Sequence, residues 1–182
     1  PADQVSVASG NAAFLRPDQR GAIAEAGIAY LRDLRDHRGF EPGVGWRHGV
    51  AHGSDLLVQV VLNTNFDRGR LFHEIREALA TQVVPAGHSY VHGEPERLAR
   101  LALVLAMRAN FSGEDWTTWF SALTEPPQGQ DWASALASQE GLARRHNVNA
   151  FLQAVWINAH FSENSDDDAL LSGAEAAMRA MP

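Results

Sequence analysis

The chain has 182 residues, 45% of them hydrophobic and 20% charged, with no cysteine and a formal net charge of −7. That length suits one helical domain or compact array with a real core, and the negative charge disfavours binding to nucleic acid or an anionic membrane, whose phosphates would repel it. The missing cysteine excludes disulfides, thiolate nucleophiles and thiolate-ligated metal centres; because all fifteen basic residues are arginine, a lysine Schiff base and a lysine-bearing phosphate loop are excluded too.

Apolar residues recur at helical spacing along nearly the whole chain. Pro17 and Asp18 mark a helix start; Ile23, Gly27, Tyr30, Leu31 and Leu34 continue its face, and a stop is expected near Gly39. Arg38 to Gly45 is rich in glycine and proline and reads as a loop. The next helix is predicted from Trp46 to Leu62, followed by a turn at Asn63–Asn65. A third helix carries Leu71, Phe72, Ile75 and Leu79 and ends before Pro85. Val84 to Gly93 reads as a polar-aromatic loop. Glu94 and Pro95 open a helix bearing Leu98, Leu101, Ala102 and Leu105. Ser112 with Asp115 forms a capping box for a short helix carrying Trp116, Trp119, Phe120 and Leu123. Asp131 starts a helix to about Arg145, and Asn147 to His160 reads as a further one. Ser165 with the three aspartates after it is the expected cap of the last helix.

The fold class predicted is therefore all-α: about eight helices in one domain over residues 1–182, short loops joining antiparallel helix pairs. The pairs recur every forty residues or so, the rhythm of a HEAT-like α-α superhelical array. No window approaches roughly eighteen unbroken apolar residues, and no signal peptide is visible, so a soluble, cytoplasmic protein is expected. Arginine-only usage reads as a GC-rich bacterial genome. The opening Pro1 reads as a processed, cloned or truncated start.

The chemistry-bearing element is the predicted second helix. At about 100° per residue, His48, His52, Asp55 and Gln59 fall within roughly 40° of one another, while the rest of the circumference is apolar. An apolar helix is normally buried, so its polar stripe needs partners. Gly49 and Gly53 inside it point to close approach of another helix or of a ligand. Two histidines at i and i+4 with a nearby aspartate offer His48, His52 and Asp55 as ligands for a divalent metal. Gly49 stands where a metalloprotease has its glutamate, so that general base is missing. A ligand pocket without metal, or a satisfied structural network, accounts for the same stripe.

A second cluster, His88, Tyr90, His92, Glu94, Glu96 and Arg97, lies in a loop feeding a helix start, a frequent ligand position. Its alternative reading is that Glu94 and Glu96 complement the helix dipole. The stripe is expected to face this loop. The candidate site is thus Trp46, His48, His52, Asp55, Tyr90, His92, Glu94, Glu96 and Arg97. His37, His73, His146 and His160 have no partner by spacing.

The blocks YLRDLRDHRGFEPGVGWRHGVAHGSDLL and GEPERLAR, with NVNAFLQAVWINAHF further on, give the chain a resemblance to the bacterial family called domain of unknown function 2785. The resemblance implies an all-α, HEAT-like fold. It also implies that the chain is either the C-terminal part of a longer type of protein or a short member of the family, and that Trp46, His48, His52, Asp55, Glu94 and Arg97 belong to recurring motifs. It implies no activity. Two functions follow from the residues. One is a helical module binding a protein, peptide or small ligand on a concave face. The other is a metal-dependent or His/Asp acid–base enzyme of the hydrolase class, sited at His48, His52, Asp55 and the His88–Arg97 loop.

Overall fold

The computed structural model describes residues 15–66 and 69–182. Among these the fold is all-α, with a single two-stranded hairpin. The elements are α1 (Pro17–Asp33), β1 (Phe40–Glu41), β2 (Gly45–Trp46), α2 (Gly49–Leu62), α3 (Gly69–Val83), α4 (Glu94–Arg108), α5 (Gly113–Leu123), α6 (Trp132–Ala135), α7 (Gln139–His160), a 3₁₀ turn (Ser165–Asp167) and α8 (Asp168–Ala180).

One apolar core runs through all of the longer helices. Ile28 and Leu31 of α1, Leu57 and Val61 of α2, Phe72 and Leu79 of α3, and Leu98, Leu101 and Leu105 of α4 are all buried in it. Trp116 and Phe120 of α5 continue it to Phe151 and Val155 of α7 and Leu170 of α8. Helix α1 packs on α2 and α3, α2 on α4, α4 on α7, and α8 on both α5 and α7. Helix α2 is apolar nearly all round, as its sequence required, and is buried on most of its circumference. Its glycines admit α1: a Cβ on Gly53 would stand 2.9 Å from the Tyr30 ring, and one on Gly49 would stand 3.0 Å from the Tyr30 hydroxyl. The close approach expected from those glycines is that of a helix.

Four boundaries differ from the periodicity. Helix α1 ends at Asp33 rather than near Gly39, because Arg35, Asp36 and Arg38 offer no apolar face; buried Gln82 takes over, donating from Nε2 to the Leu31 carbonyl at 2.7 Å. Residues 40–46 form a hairpin instead of a loop, with Phe40 opposite Trp46, so Trp46 is a strand residue. Backbone bonds from Arg47 and His48 N–H to the Gly39 carbonyl delay α2 until Gly49. The expected break at 145–147 lies instead at 136–138, where Ser138 Oγ accepts the Gly141 N–H at 3.0 Å and starts α7. Asn147 is mid-helix, and its side chain is used elsewhere. The Ser112–Asp115 capping box forms as read. At the last helix, Asn164 rather than Ser165 supplies the side-chain cap, accepting the Asp166 N–H at 3.1 Å.

Candidate functional site

The site grows from the hairpin. Gly43 and Gly45 have positive φ, 82° and 103°, which lets residues 42–44 turn sharply between the two short strands. The result lifts Phe40, Val44 and Trp46 into solvent, 45%, 61% and 61% exposed; in the loop before α4, Val91 is 74% exposed. The Phe40 and Trp46 rings meet edge-on at 5.3 Å, and Trp46 contacts His48 at 4.7 Å and His92 at 5.8 Å.

His48 is the N-cap of α2 and sits in the left-handed region, φ 45° and ψ 38°. It is the sole non-glycine with positive φ among the described residues. Such a conformation costs on the order of 1–3 kcal/mol and persists only where the surroundings over-determine it. Here they do. The His48 N–H is bonded to the Arg38 and Gly39 carbonyls. Its ring Nε2 lies 3.0 Å from the His92 carbonyl oxygen and 3.3 Å from Glu94 Oε1.

Glu94 is the anchor of this arrangement. It is the first residue of α4 and only 1% exposed. Its Oε2 accepts the His92 N–H at 3.0 Å, so one carboxylate holds both the loop and the His48 ring. The helix N-terminus favours the negative charge there. Gly39 closes the cluster: a Cβ on it would stand 2.5 Å from His92 Nδ1 and 2.7 Å from Glu94 Oε1. Only a glycine lets the hairpin stem rest directly on the His92–Glu94 pair.

The structure thus brings the two predicted clusters together, along a line from the hairpin to α4. Farther along it, Ser54 Oγ donates to the Arg97 carbonyl at 2.8 Å, and Asp55 Oδ2 pairs with Arg97 Nη1 at 2.9 Å. His52 is exposed, its ring 6.4 Å from that of His48 and edge-on to it. Because His48 caps α2 and its ring turns toward Glu94 while Asp55 turns to Arg97, the three do not converge. Among the described residues no group of three or more His, Cys, Asp or Glu is placed to hold a metal ion. Glu96 is exposed in the first turn of α4.

Tyr90 lies inside. Its hydroxyl donates to the Gln82 carbonyl at 2.9 Å, and burial pushes its pKa well above the ordinary tyrosine value. The loop around it is tied to α7 by side chains that no sequence pattern marks. Asn147 Oδ1 accepts the Tyr90 N–H at 2.9 Å, Asn147 Nδ2 donates to the His88 carbonyl at 2.7 Å, and His146 Nε2 lies 3.0 Å from the Tyr90 carbonyl. These partners are 56 to 59 positions apart, so no local pattern points to them.

His37 stacks on His88 at 5.2 Å and meets Tyr90 edge-on at 6.1 Å. Its Nε2 is buried without a hydrogen-bond partner. Desolvation, then the positive charge of a protonated His88, hold its pKa below the ordinary 6.5. The unfolded chain therefore binds a proton more readily than the folded one between that lowered value and 6.5, and stability rises with pH across the window. The stabilisation is complete above about pH 6.5 and is lost as the pH falls through the folded-state pKa. Urea unfolding of the wild type should show this loss on acidification. The His37→Phe variant, which keeps a ring against His88 but does not titrate, should show a flatter profile.

Two cavities lie elsewhere. One of about 520 Å³ is lined by Leu142, Arg145, Asn149, Gln153, Met178 and Met181, among others, and one of about 350 Å³ by Arg76, Ser112, Asp115 and Trp119, among others. Neither includes a residue of the hairpin.

An all-α protein with a hairpin clamped to a helix start, and an exposed aromatic cluster on that hairpin, is the class the fold defines. The chain belongs to the family described as "Protein of unknown function (DUF2785)", whose model matches residues 5–157. No curated protein and no solved structure matches it. In the described residues no helix is long and apolar enough to cross a membrane.

Proposed function

We propose that the chain is a helical-repeat-like module, one domain over residues 1–182, that binds a protein or peptide partner through the hairpin corner. Trp46, Phe40, Val44 and Val91 form its apolar centre, with His48, His52, His92, Asp55, Glu94, Glu96 and Arg97 around and beneath it. The observation that carries this reading is the exposed Phe40–Trp46 pair held on a rigid base. Exposed aromatic clusters on a preorganised scaffold are typical binding centres. A protruding hairpin outside both described cavities suits a partner surface better than a small molecule, which needs a concave, enclosing site. The packing of α1 on α3 and of α2 on α4 is compatible with stacked helix pairs in the HEAT manner.

The alternative, an acid–base or metal-assisted hydrolase at the same corner, would need a further reactive group beside the His48–Glu94 pair. His52 stands off at 6.4 Å, and Asp55 is held by Arg97. The binding reading is therefore preferred.

The test is a comparison of wild type with Trp46→Ser. A partner identified by cross-linking at position 44 should, once purified, bind the variant about thirtyfold more weakly, the loss expected for a central aromatic worth about 2 kcal/mol. The melting temperature should be unchanged, because Trp46 is exposed. Equal affinity of the two proteins for that partner overturns the reading.

A further inference from the structure

Resting on that reading for its consequence, we infer that the His37–His88 stack is an acid-operated latch on the corner. A proton taken up by His37 swings residues 35–39 off the 88–94 loop and opens the stem of the hairpin that carries Phe40 and Trp46, while the helices behind stay folded. His37 lies between α1 and β1, in residues 34–39, which belong to neither helix nor strand. Its ring stacks on that of His88 at 5.2 Å and meets Tyr90 edge-on at 6.1 Å. The next two residues, Arg38 and Gly39, carry the carbonyls that hold the Arg47 and His48 N–H groups. A linker that leaves the loop therefore withdraws both acceptors from the far side of the stem.

A charged His37 does not fit this place. In the imidazolium both nitrogens carry a proton, and Nε2 is buried with no hydrogen-bond partner. The stacked neighbour is itself a histidine, so acid sets two like charges face to face. Of the other groups around the ring, Asp36 from the linker and Gln82 from α3 favour the charged form, and Arg35 opposes it. Desolvation and His88 outweigh them, and the balance holds the pKa below its ordinary value. Tyr90 adds no charge, because burial keeps its hydroxyl protonated. Beyond it, His146 meets the Tyr90 carbonyl, and Glu94 acts on Tyr90 through its charge. Separating the rings lets His37 hydrate as it charges, so proton uptake and opening are coupled.

The two sides of the stack are held unequally, which decides what moves. On the loop side, Asn147 binds the His88 carbonyl at 2.7 Å and the Tyr90 N–H at 2.9 Å, and the Tyr90 hydroxyl donates to the Gln82 carbonyl. His88 is thus fixed to α7. On the linker side, Arg35 bonds to the Arg32 and Leu34 carbonyls and Arg38 to Asp36 and Glu41, all of them local and exposed. Gln82 Nε2 holds the Leu31 and Leu34 carbonyls, at 2.7 and 3.4 Å, and so places the hinge just after Leu34. The His48 ring stays on the His92 carbonyl and Glu94. The linker swings and the far side of the stem is left behind.

The test follows amide hydrogen exchange in the free wild-type protein by NMR at about pH 7.5 and about pH 5, either side of the ordinary histidine value, each rate divided by its intrinsic chemical rate. The Arg47 and His48 amides should open more often at the lower pH, by several-fold and at most about thirtyfold. That ceiling holds for one proton taken up by an open form of ordinary pKa, about 6.5, and refused by the closed form. Amides of α5 and α7 should keep their protection. In His37→Phe, Arg47 and His48 should be equally protected at both pH values. No added opening in the wild type overturns the inference. So does a loss shared equally by α5 and α7, or the same opening in His37→Phe. Should that variant fail to fold, the wild type still decides: the His37 ring resonances and the Arg47 and His48 opening must share one midpoint, and separate midpoints overturn the latch. No partner is present in these measurements, so a failure of the binding reading would leave their outcome untouched.

Discussion

Glu94→Ala should lower stability by about 2–4 kcal/mol. Glu94 is 1% exposed; its carboxylate accepts the His92 N–H and lies 3.3 Å from His48 Nε2, whose own hydrogen bond goes to the His92 carbonyl. Removing it leaves the His92 N–H without its partner and takes the carboxylate away from the His48 ring. A buried polar group left unpaired costs about 1–3 kcal/mol. Alanine also empties the space beneath Gly39, whose missing Cβ shows how closely the hairpin rests on this carboxylate. Chemical denaturation gives the loss directly. Amide exchange should localise it, with faster exchange at residues 38–48 and 88–93 than in α5, α7 or α8. Glu94→Gln should recover part of the stability, since its amide oxygen still accepts one bond while its amide nitrogen faces a donor. A loss below about 1 kcal/mol for the alanine variant would mean that Glu94 is solvated and does not hold the corner.

What the sequence carried, and what it did not, follows from the range of each interaction. The apolar circumference of α2 and its two glycines were legible, because burial and close approach are written in composition at fixed helical spacing. The meeting of His48 and Asp55 with the 88–97 loop was also within reach: two polar clusters on otherwise apolar elements have to satisfy one another. The pairing inside that meeting was not. Read as a helix over 46–62, the stripe aims His48 with Asp55. The hairpin instead makes His48 a left-handed cap, and its ring turns to Glu94. Two short strands of two residues each give too little alternation for periodicity to detect. Gln82, His146 and Asn147 were invisible for a different reason. Each satisfies backbone groups more than 45 positions away, and a lone polar residue on a helix looks the same whether it faces solvent or a distant loop. Asn147 even resembled a helix boundary, since asparagine usually disrupts helix interiors.

That residue carries the second large effect. Asn147→Leu, similar in size but apolar, should destabilise the protein by about 2–5 kcal/mol. Asn147 is 1% exposed and serves two backbone groups at once, the Tyr90 N–H at 2.9 Å and the His88 carbonyl at 2.7 Å. Leucine would leave both unpaired in a buried place, at about 1–3 kcal/mol each. His146→Ala should cost less, because His146 is exposed and its ring meets a single carbonyl. The measurement that matters most is the double variant with Glu94→Ala. Asn147 secures the loop at residues 88–90 and Glu94 secures it at 92–94, so each clamp keeps the other's partners in place. Once one is cut, the freed segment can hydrate its own backbone, and cutting the second costs less. The double variant should therefore fall short of the sum of the singles by about 0.5–3 kcal/mol, the range for residues coupled through a shared segment. Strict additivity would show that the hairpin corner and the α7 side of the loop are independent. In that case the rigidity of Trp46 and His48 would derive from Glu94 and Gly39 alone, with no contribution from the long helix behind them.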